Sequence, residues 1–298
     1  MAIIASLILC HWACKGASHG SFCASDVARH ANGQPIGLAQ ARAAWHTVWM
    51  TVPILQTTLP DDMRTDRALP GIQPELGAWL RVDEAYAGQM ARRIALLRDR
   101  TDDVLYLDRA AHGAAQELLE HARAILPDLG FAVTGDTVTC PDGRTVAVTS
   151  EAPLETLGHL FQNDFVIMEK RGAEHVLSGA VLCFPASWAL REKAGRPLTD
   201  IHIPVEEYTD DMARRVQRLF DGIKVGRPLW RANRLWYQDP ELFQPRSRAE
   251  PRRVGAGLAD GPYYRSERQT LLRLPHTQAV IFAIHTYVLA RADVPDLT

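Results

Sequence analysis

Tyr264-Arg-Ser-Glu-Arg-Gln-Thr-Leu-Leu-Arg-Leu-Pro-His-Thr-Gln-Ala-Val-Ile-Phe-Ala-Ile-His-Thr-Tyr-Val-Leu289 is the stretch that decides the fold class. Two extended runs flank Pro275-His276-Thr277-Gln278, a turn signal, so residues 264–274 and 279–289 read as the arms of a long β-hairpin. Side chains alternate across a strand. Ile281, Ala283, His285 and Tyr287 therefore share one face, and Phe282, Ile284 and Thr286 share the other. In the first arm Arg265 and Arg273 share a face and Arg268 takes the opposite one.

Upstream, the periodicity changes. Residues 82–98 read as a helix with Tyr86, Met90, Ile94 and Leu97 on one side. Residues 114–126 read as a second, closed by Pro127 and Gly130. Short β-branched runs at 131–134, 137–140 and 145–149 follow, split by Gly135-Asp136 and Asp142-Gly143. Leu154, Leu157, Leu160 and Phe161 mark a short helix. Residues 165–168 and 175–184 read as strands, the latter ending in an apolar run typical of burial on both faces. Residues 210–223 form a further amphipathic helix, and 230–243 a Trp-rich loop. The order predicts an α+β domain with an antiparallel sheet and flanking helices; regular βαβ alternation is missing.

The 298-residue chain has ordinary composition, with 47% hydrophobic and 23% charged residues. A net charge of −2 supplies no basic field for nucleic acid. Its cations are nearly all arginine, with lysine only at Lys15, Lys170, Lys193 and Lys224. Among the five cysteines, Cys10, Cys14 and Cys23 cluster early while Cys140 and Cys183 stand alone. This spacing fits neither a zinc ribbon nor an iron–sulfur run, and points to a reduced, cytoplasmic protein. The apolar run 2–10 has no positive flank and is too short for a bilayer, so no membrane association is expected. Residues 1–69 read as a poorly structured extension, with Met50 as a candidate true start, and 70–298 as a single domain. Intact mass of the native protein tests the start.

The recognisable nucleotide and hydrolase motifs are missing. Gly16-Ala-Ser-His-Gly20 matches GxSxG but lacks the strands that a nucleophile elbow needs upstream. Gly255-Ala-Gly257 with Gly261 has the wrong spacing for a dinucleotide loop and reads as surface.

What remains is a lone imidazole and a row of arginines. In Phe184-Pro-Ala-Ser-Trp188 through Gly195-Arg-Pro-Leu198 and Ile201-His-Ile-Pro-Val205, His202 sits between isoleucines and two residues before a proline. It follows a short helical piece ended by Gly195 and Pro197. Such a histidine suits an axial ligand to haem and equally suits a buried strand end. Arg265, Arg268 and Arg273 suit either propionate capture or an ion-paired strand with Glu267 as internal partner. Asp164, after Gln162-Asn163, reads as a turn cap or as an acid in a pocket.

These segments resemble the haem-dependent oxidative N-demethylase alpha-subunit family over about residues 70–287. The carrying segments are Gly71-Ile-Gln-Pro-Glu-Leu-Gly-Ala-Trp-Leu-Arg-Val-Asp-Glu-Ala-Tyr-Ala-Gly-Gln-Met90, Gln162-Asn-Asp164, the 184–205 stretch, Arg231-Ala-Asn233, Asp239-Pro-Glu-Leu-Phe-Gln-Pro245 and Glu267-Arg-Gln-Thr-Leu271 to Leu274-Pro275. The resemblance implies a PAS-like α+β fold holding haem b, with His202 as iron ligand. It implies Arg268 as a propionate or pocket contact, Arg231 and Asn233 as pocket or scaffold residues, and Asp164 as a candidate catalytic acid. It implies oxidation of a small methylated amine by dioxygen with release of formaldehyde. Electrons would come from NADPH through FMN and 2Fe-2S centres on partner reductase subunits, and tetrahydrofolate could take up the formaldehyde. Ala186, Arg234, His285 and Glu206-Glu207 depart from the family pattern, which bears on substrate and propionate contacts. The alternatives are a non-catalytic haem sensor or carrier, and a haem-less structural module.

Overall fold

The computed structural model describes residues 53–65, 71–202, 210–250 and 260–296. In chain order its elements are β1 (Gln73–Pro74), α1 (Tyr86–Asp99), α2 (Thr101–Val104), β2 (Leu105–Leu107), α3 (His112–Arg123), β3 (Ala132–Thr134), β4 (Thr137–Thr139), β5 (Thr145–Ala147) and α4 (Pro153–Leu160). There follow β6 (Asp164–Arg171), β7 (Glu174–Val181), α5 (Leu198–His202), α6 (Asp210–Gly222), β8 (Leu229–Ala232), β9 (Leu235–Tyr237), β10 (Tyr263–Arg273) and β11 (Val280–Ala290). This is a mixed α+β architecture.

The main sheet has eight strands, ordered β1-β8-β10-β11-β6-β7-β2, with β9 paired to β10 beside β8. Every strand pairing in it is antiparallel. β10 and β11 run in unbroken register from Tyr263↔Ala290 to Arg273↔Val280. β3, β4 and β5 form a separate three-stranded sheet. Gly172 turns β6 into β7 with φ of 66°, a conformation that a side chain would strain.

Alternation along the strands divides the interior in two. Phe165, Ile167, Val181, Ile281 and Ala283 face the helical layer, where they pack with Leu97 of α1, Leu118 of α3 and Leu157 of α4. Val166, Met168, Ala180, Leu271, Phe282 and Ile284 face the other way, against Leu198 and Ile201 of α5 and Val216 and Phe220 of α6. Each such side chain contributes roughly 1.5–3 kcal/mol through its burial. Gly158 allows α4 to lie close to its neighbours, since a Cβ there would meet Leu97 Cδ1 and Val181 Cγ2 at 2.9 Å.

Three expectations change. The 230–243 stretch contains β8 and β9 rather than a loop, because β10 supplies the hydrogen bonds that local composition does not announce. Residues 198–202 are helical, so His202 closes a helix and not a strand. Residues 53–65, placed by the sequence outside the domain, pack on it. Leu59 and Met63 are buried, and Gln56 exchanges hydrogen bonds with the Val288 backbone at 2.9 Å through both its own backbone and its side-chain oxygen. The GxSxG match, Cys10, Cys14, Cys23, Met50, Glu206-Glu207 and Gly255-Ala-Gly257 lie outside the described residues. Cys140 and Cys183 are free and buried. Among the described residues no helix is long and apolar enough to cross a membrane.

Candidate functional site

β10 and β11 carry an unusual load of buried polar groups, and alternation sorts them onto the two faces of the sheet. On the face toward the helical layer lie Arg268 and His285, directly paired across the strands. Arg268 stacks 3.6 Å above the Trp230 ring, and its Nη1 and Nη2 donate to Asp62 Oδ2 at 2.8 Å and Glu75 Oε2 at 2.5 Å. Its guanidinium is thus neutralised internally, on the face opposite α5. Position 268 has even parity on β10, whereas the residues of the α5 face are odd.

His285 Nε2 lies 2.9 Å from Asp83 Oδ2. Asp83 also accepts from Gln162 Nε2 at 2.7 Å and Gln56 Nε2 at 3.0 Å. Burial by itself would raise the Asp83 carboxyl; the hydrogen bonds and charge of His285 and the two amides outweigh it and hold the group at about 2. Asp83 lines an open cleft with Arg81, Glu84 and Tyr287.

Asp164 begins β6 and is 1% exposed. Its Oδ1 receives Arg93 Nη1 at 2.6 Å and the Cys183 N–H at 2.7 Å, while Oδ2 receives the Phe184 N–H at 2.9 Å. The carboxylate ties α1 to the end of β7. It is sealed from solvent by these partners.

The face toward α5 differs. Glu267 and Thr286 stand directly opposite each other there, with Gln269 two residues along β10 and Arg231 opposite Gln269 on β8. All four are buried. Glu267 Oε2 accepts from Asn233 Nδ2 at 2.9 Å and Gln269 Nε2 at 3.1 Å, and the Glu267 N–H donates to Asn233 Oδ1 at 2.7 Å. Arg265 Nη2 approaches Glu267 Oε1 to 3.6 Å but donates to the Phe184 carbonyl at 2.8 Å. Gln269 Oε1 and Thr286 Oγ1 are buried without a hydrogen-bond partner.

α5 lies over this face. Leu198 and Ile201 bury against the sheet, and the Lys193 ammonium, pulled down to about 8 chiefly by burial, donates to the Ile201 carbonyl in the last turn. Trp188, also buried in this layer, follows Ser187, whose φ of 64° is left-handed without being glycine. The side chain of His202 lies outside what the structure describes.

Sequence reasoning singled out Arg231 and Asn233, and the tertiary pairing brings both to the Glu267 cluster. It missed Gln269 and Thr286. Their only signal was a polar side chain at alternate positions beside Leu271, Phe282 and Ile284.

The profile of the family described as haem-dependent oxidative N-demethylase, alpha subunit-like, matches residues 71–296, and this chain belongs to that family. The family name carries haem dependence, N-demethylation and the existence of other subunits. The α5-facing side of the sheet carries apolar side chains, Val166, Leu271, Phe282 and Ile284, and a cation, Arg231, which are the residue types a flat macrocycle and its propionates require; the apolar four are packed against α5 and α6. On the same face the side-chain oxygens of Gln269 and Thr286 have no hydrogen-bond partner within the protein.

Proposed function

We propose that this protein is the haem-binding subunit of a dioxygen-using oxidative N-demethylase acting on a small methylated amine, built on a PAS-like domain. The single observation that carries the reading is the α5-facing side of the sheet, where an apolar floor meets buried, unpartnered polar atoms. Family membership supports the reading.

In this reading His202, at the end of α5 where Lys193 donates to the Ile201 carbonyl, would hold the iron of haem b. Haem, when bound, supplies dioxygen activation, and it takes electrons from a partner. The chain's own residues do the rest. Val166, Leu271, Phe282 and Ile284 exclude water. Arg231 faces the propionates, and Asn233 orients Glu267 through paired hydrogen bonds. Arg268 and Asp164 serve as buried anchors. NADPH, FMN and a 2Fe-2S centre belong to partner reductase subunits, and tetrahydrofolate takes up formaldehyde in the assembled complex.

The test is the visible spectrum of the full chain expressed with haem, oxidised and reduced, beside His202→Ala. The expected result is a Soret band that shifts on reduction and is lost or displaced in the variant. An unchanged spectrum and haem content in His202→Ala overturns the ligand assignment. No Soret band in a well-folded chain overturns the cofactor.

A further inference from the structure

We propose that His175 and Gln217 form an acid-released latch that holds the N-terminal half of α6 against the sheet. The inference stands on α6 and the strands beneath it and does not depend on the functional reading above.

Gln217 of α6 meets His175 of β7 at two points. Its Oε1 accepts the His175 backbone N–H at 3.2 Å, and its Nε2 lies 2.8 Å from His175 Nδ1. The first contact fixes the amide, because only its oxygen can accept from a backbone N–H. Nε2 is therefore a donor, and Nδ1 must accept from it. The neutral ring then carries its own proton on Nε2. That nitrogen is buried without a partner, in a residue that is 0% exposed and packs on the Phe220 ring with centroids 5.3 Å apart. The latched state thus leaves one buried donor unmet, and opening would hydrate it.

Protonation removes the geometry. An imidazolium donates from both nitrogens, so its Nδ1–H would point at the Gln217 N–H that the ring now receives. Turning the amide to offer oxygen would take that oxygen from the His175 backbone N–H. The other charged groups facing the ring are Asp221 on α6, Lys170 on β6 and Arg273 on β10. Asp221 is already engaged by Lys170 Nζ at 2.6 Å, and the two cations oppose a third. Burial is the largest influence; with those cations it outweighs Gln217 and Asp221 and holds the ring below its ordinary 6.5. A released ring protonates nearer 6.5, so the latch is complete above that pH and weakens as pH falls below it.

The remaining contacts of α6 decide where it opens. Arg273 donates to the Phe220 carbonyl at 2.7 Å and the Ile223 carbonyl at 2.6 Å, which pins the C-terminal end with a group that stays charged. Val216, Phe220 and Ile223 are buried, whereas Arg214 and Arg215 are exposed. Apolar anchoring is thus concentrated from Val216 onward, and the Gln217 clamp sits at the boundary. Releasing it frees the turns before it, with the Arg273-held end as hinge. α5 and α6 cover the same face of the sheet, so lifting these turns would admit water to the apolar layer beneath.

The test is hydrogen exchange of the full chain from about pH 5 to about pH 8, with each amide rate divided by its intrinsic rate at that pH. Protection at residues 212–217 is expected to fall several-fold toward the acid end, while residues 220–223 and the strand amides keep theirs. Gln217→Glu supplies a carboxylate that accepts from a charged ring, so its protection is expected to rise toward acid instead. His175→Phe cannot titrate and is expected to show no such dependence. A native loss that persists in both variants would assign the effect to other groups and overturn the latch. Native protection that does not change with pH would overturn it too. Loss spread evenly over α6 and the sheet would mean general acid unfolding and would overturn the hinge. Should His175→Phe fail to fold, Gln217→Glu decides alone, since a merely structural role gives no reversal of sign.

Discussion

Arg93 Nη1 lies 2.6 Å from Asp164 Oδ1, with both side chains sealed from solvent, and the same carboxylate receives the backbone N–H groups of Cys183 and Phe184. One ion pair therefore joins α1 to the point where β7 leaves the sheet for the Phe184–Trp188 turn. Asp164→Ala would strand a buried guanidinium and two backbone donors. The expected cost is about 3–5 kcal/mol of unfolding free energy, read by denaturant titration. Haem content per folded molecule is expected to stay as in the native chain. A variant that folds normally but loses turnover would restore Asp164 as a catalytic group.

Asp83 gives the protein an acid-sensitive component. Its folded carboxyl is held at about 2, below its ordinary 3.8, so the unfolded chain takes up the proton first as pH falls. Stability from this group is complete above about pH 4 and drains away as pH drops toward 2. The amount is on the order of 2 kcal/mol. Asp83→Asn is expected to flatten that part of the profile in thermal unfolding between pH 2 and 5. An unaltered pH dependence in the variant would assign the acid sensitivity to other carboxylates.

Glu117 of α3 pins the turn between β10 and β11. Its two oxygens accept the His276 N–H at 2.7 Å and the Thr277 N–H at 2.8 Å. Gln278, next in the turn, has φ of 61° and needs such support. Glu117→Ala is expected to cost about 1–3 kcal/mol and to raise hydrogen exchange at 276 and 277 before that of the central strand amides. Unchanged exchange at those two amides would show that the turn is held without Glu117.

Much of this organisation is written in local patterns. Helical spacing around Met90 and Leu118, and two-residue alternation from Tyr264 to Leu289, follow from steric preferences that act within a few residues. Alternation also separated Arg265 and Arg273 from Arg268, and the observed register keeps them apart. The family was legible as well, since an ordered series of short segments survives independently of contact geometry. Partner choice was not. From sequence, Arg268 reads as a strand residue and Arg231 as part of a Trp-rich loop, and neither position names its partners. Only the three-dimensional pairing brings Asp62 and Glu75 to the first and sets the second opposite Gln269, on the other face of the sheet. Asp164 read as a turn cap or as a pocket acid for the same reason: Arg93 is 71 positions away, and nothing local announces the meeting. Gln269 and Thr286 are the limiting case. Each keeps one side-chain oxygen with no hydrogen-bond partner within the protein, a property that exists only once the whole chain has packed around it.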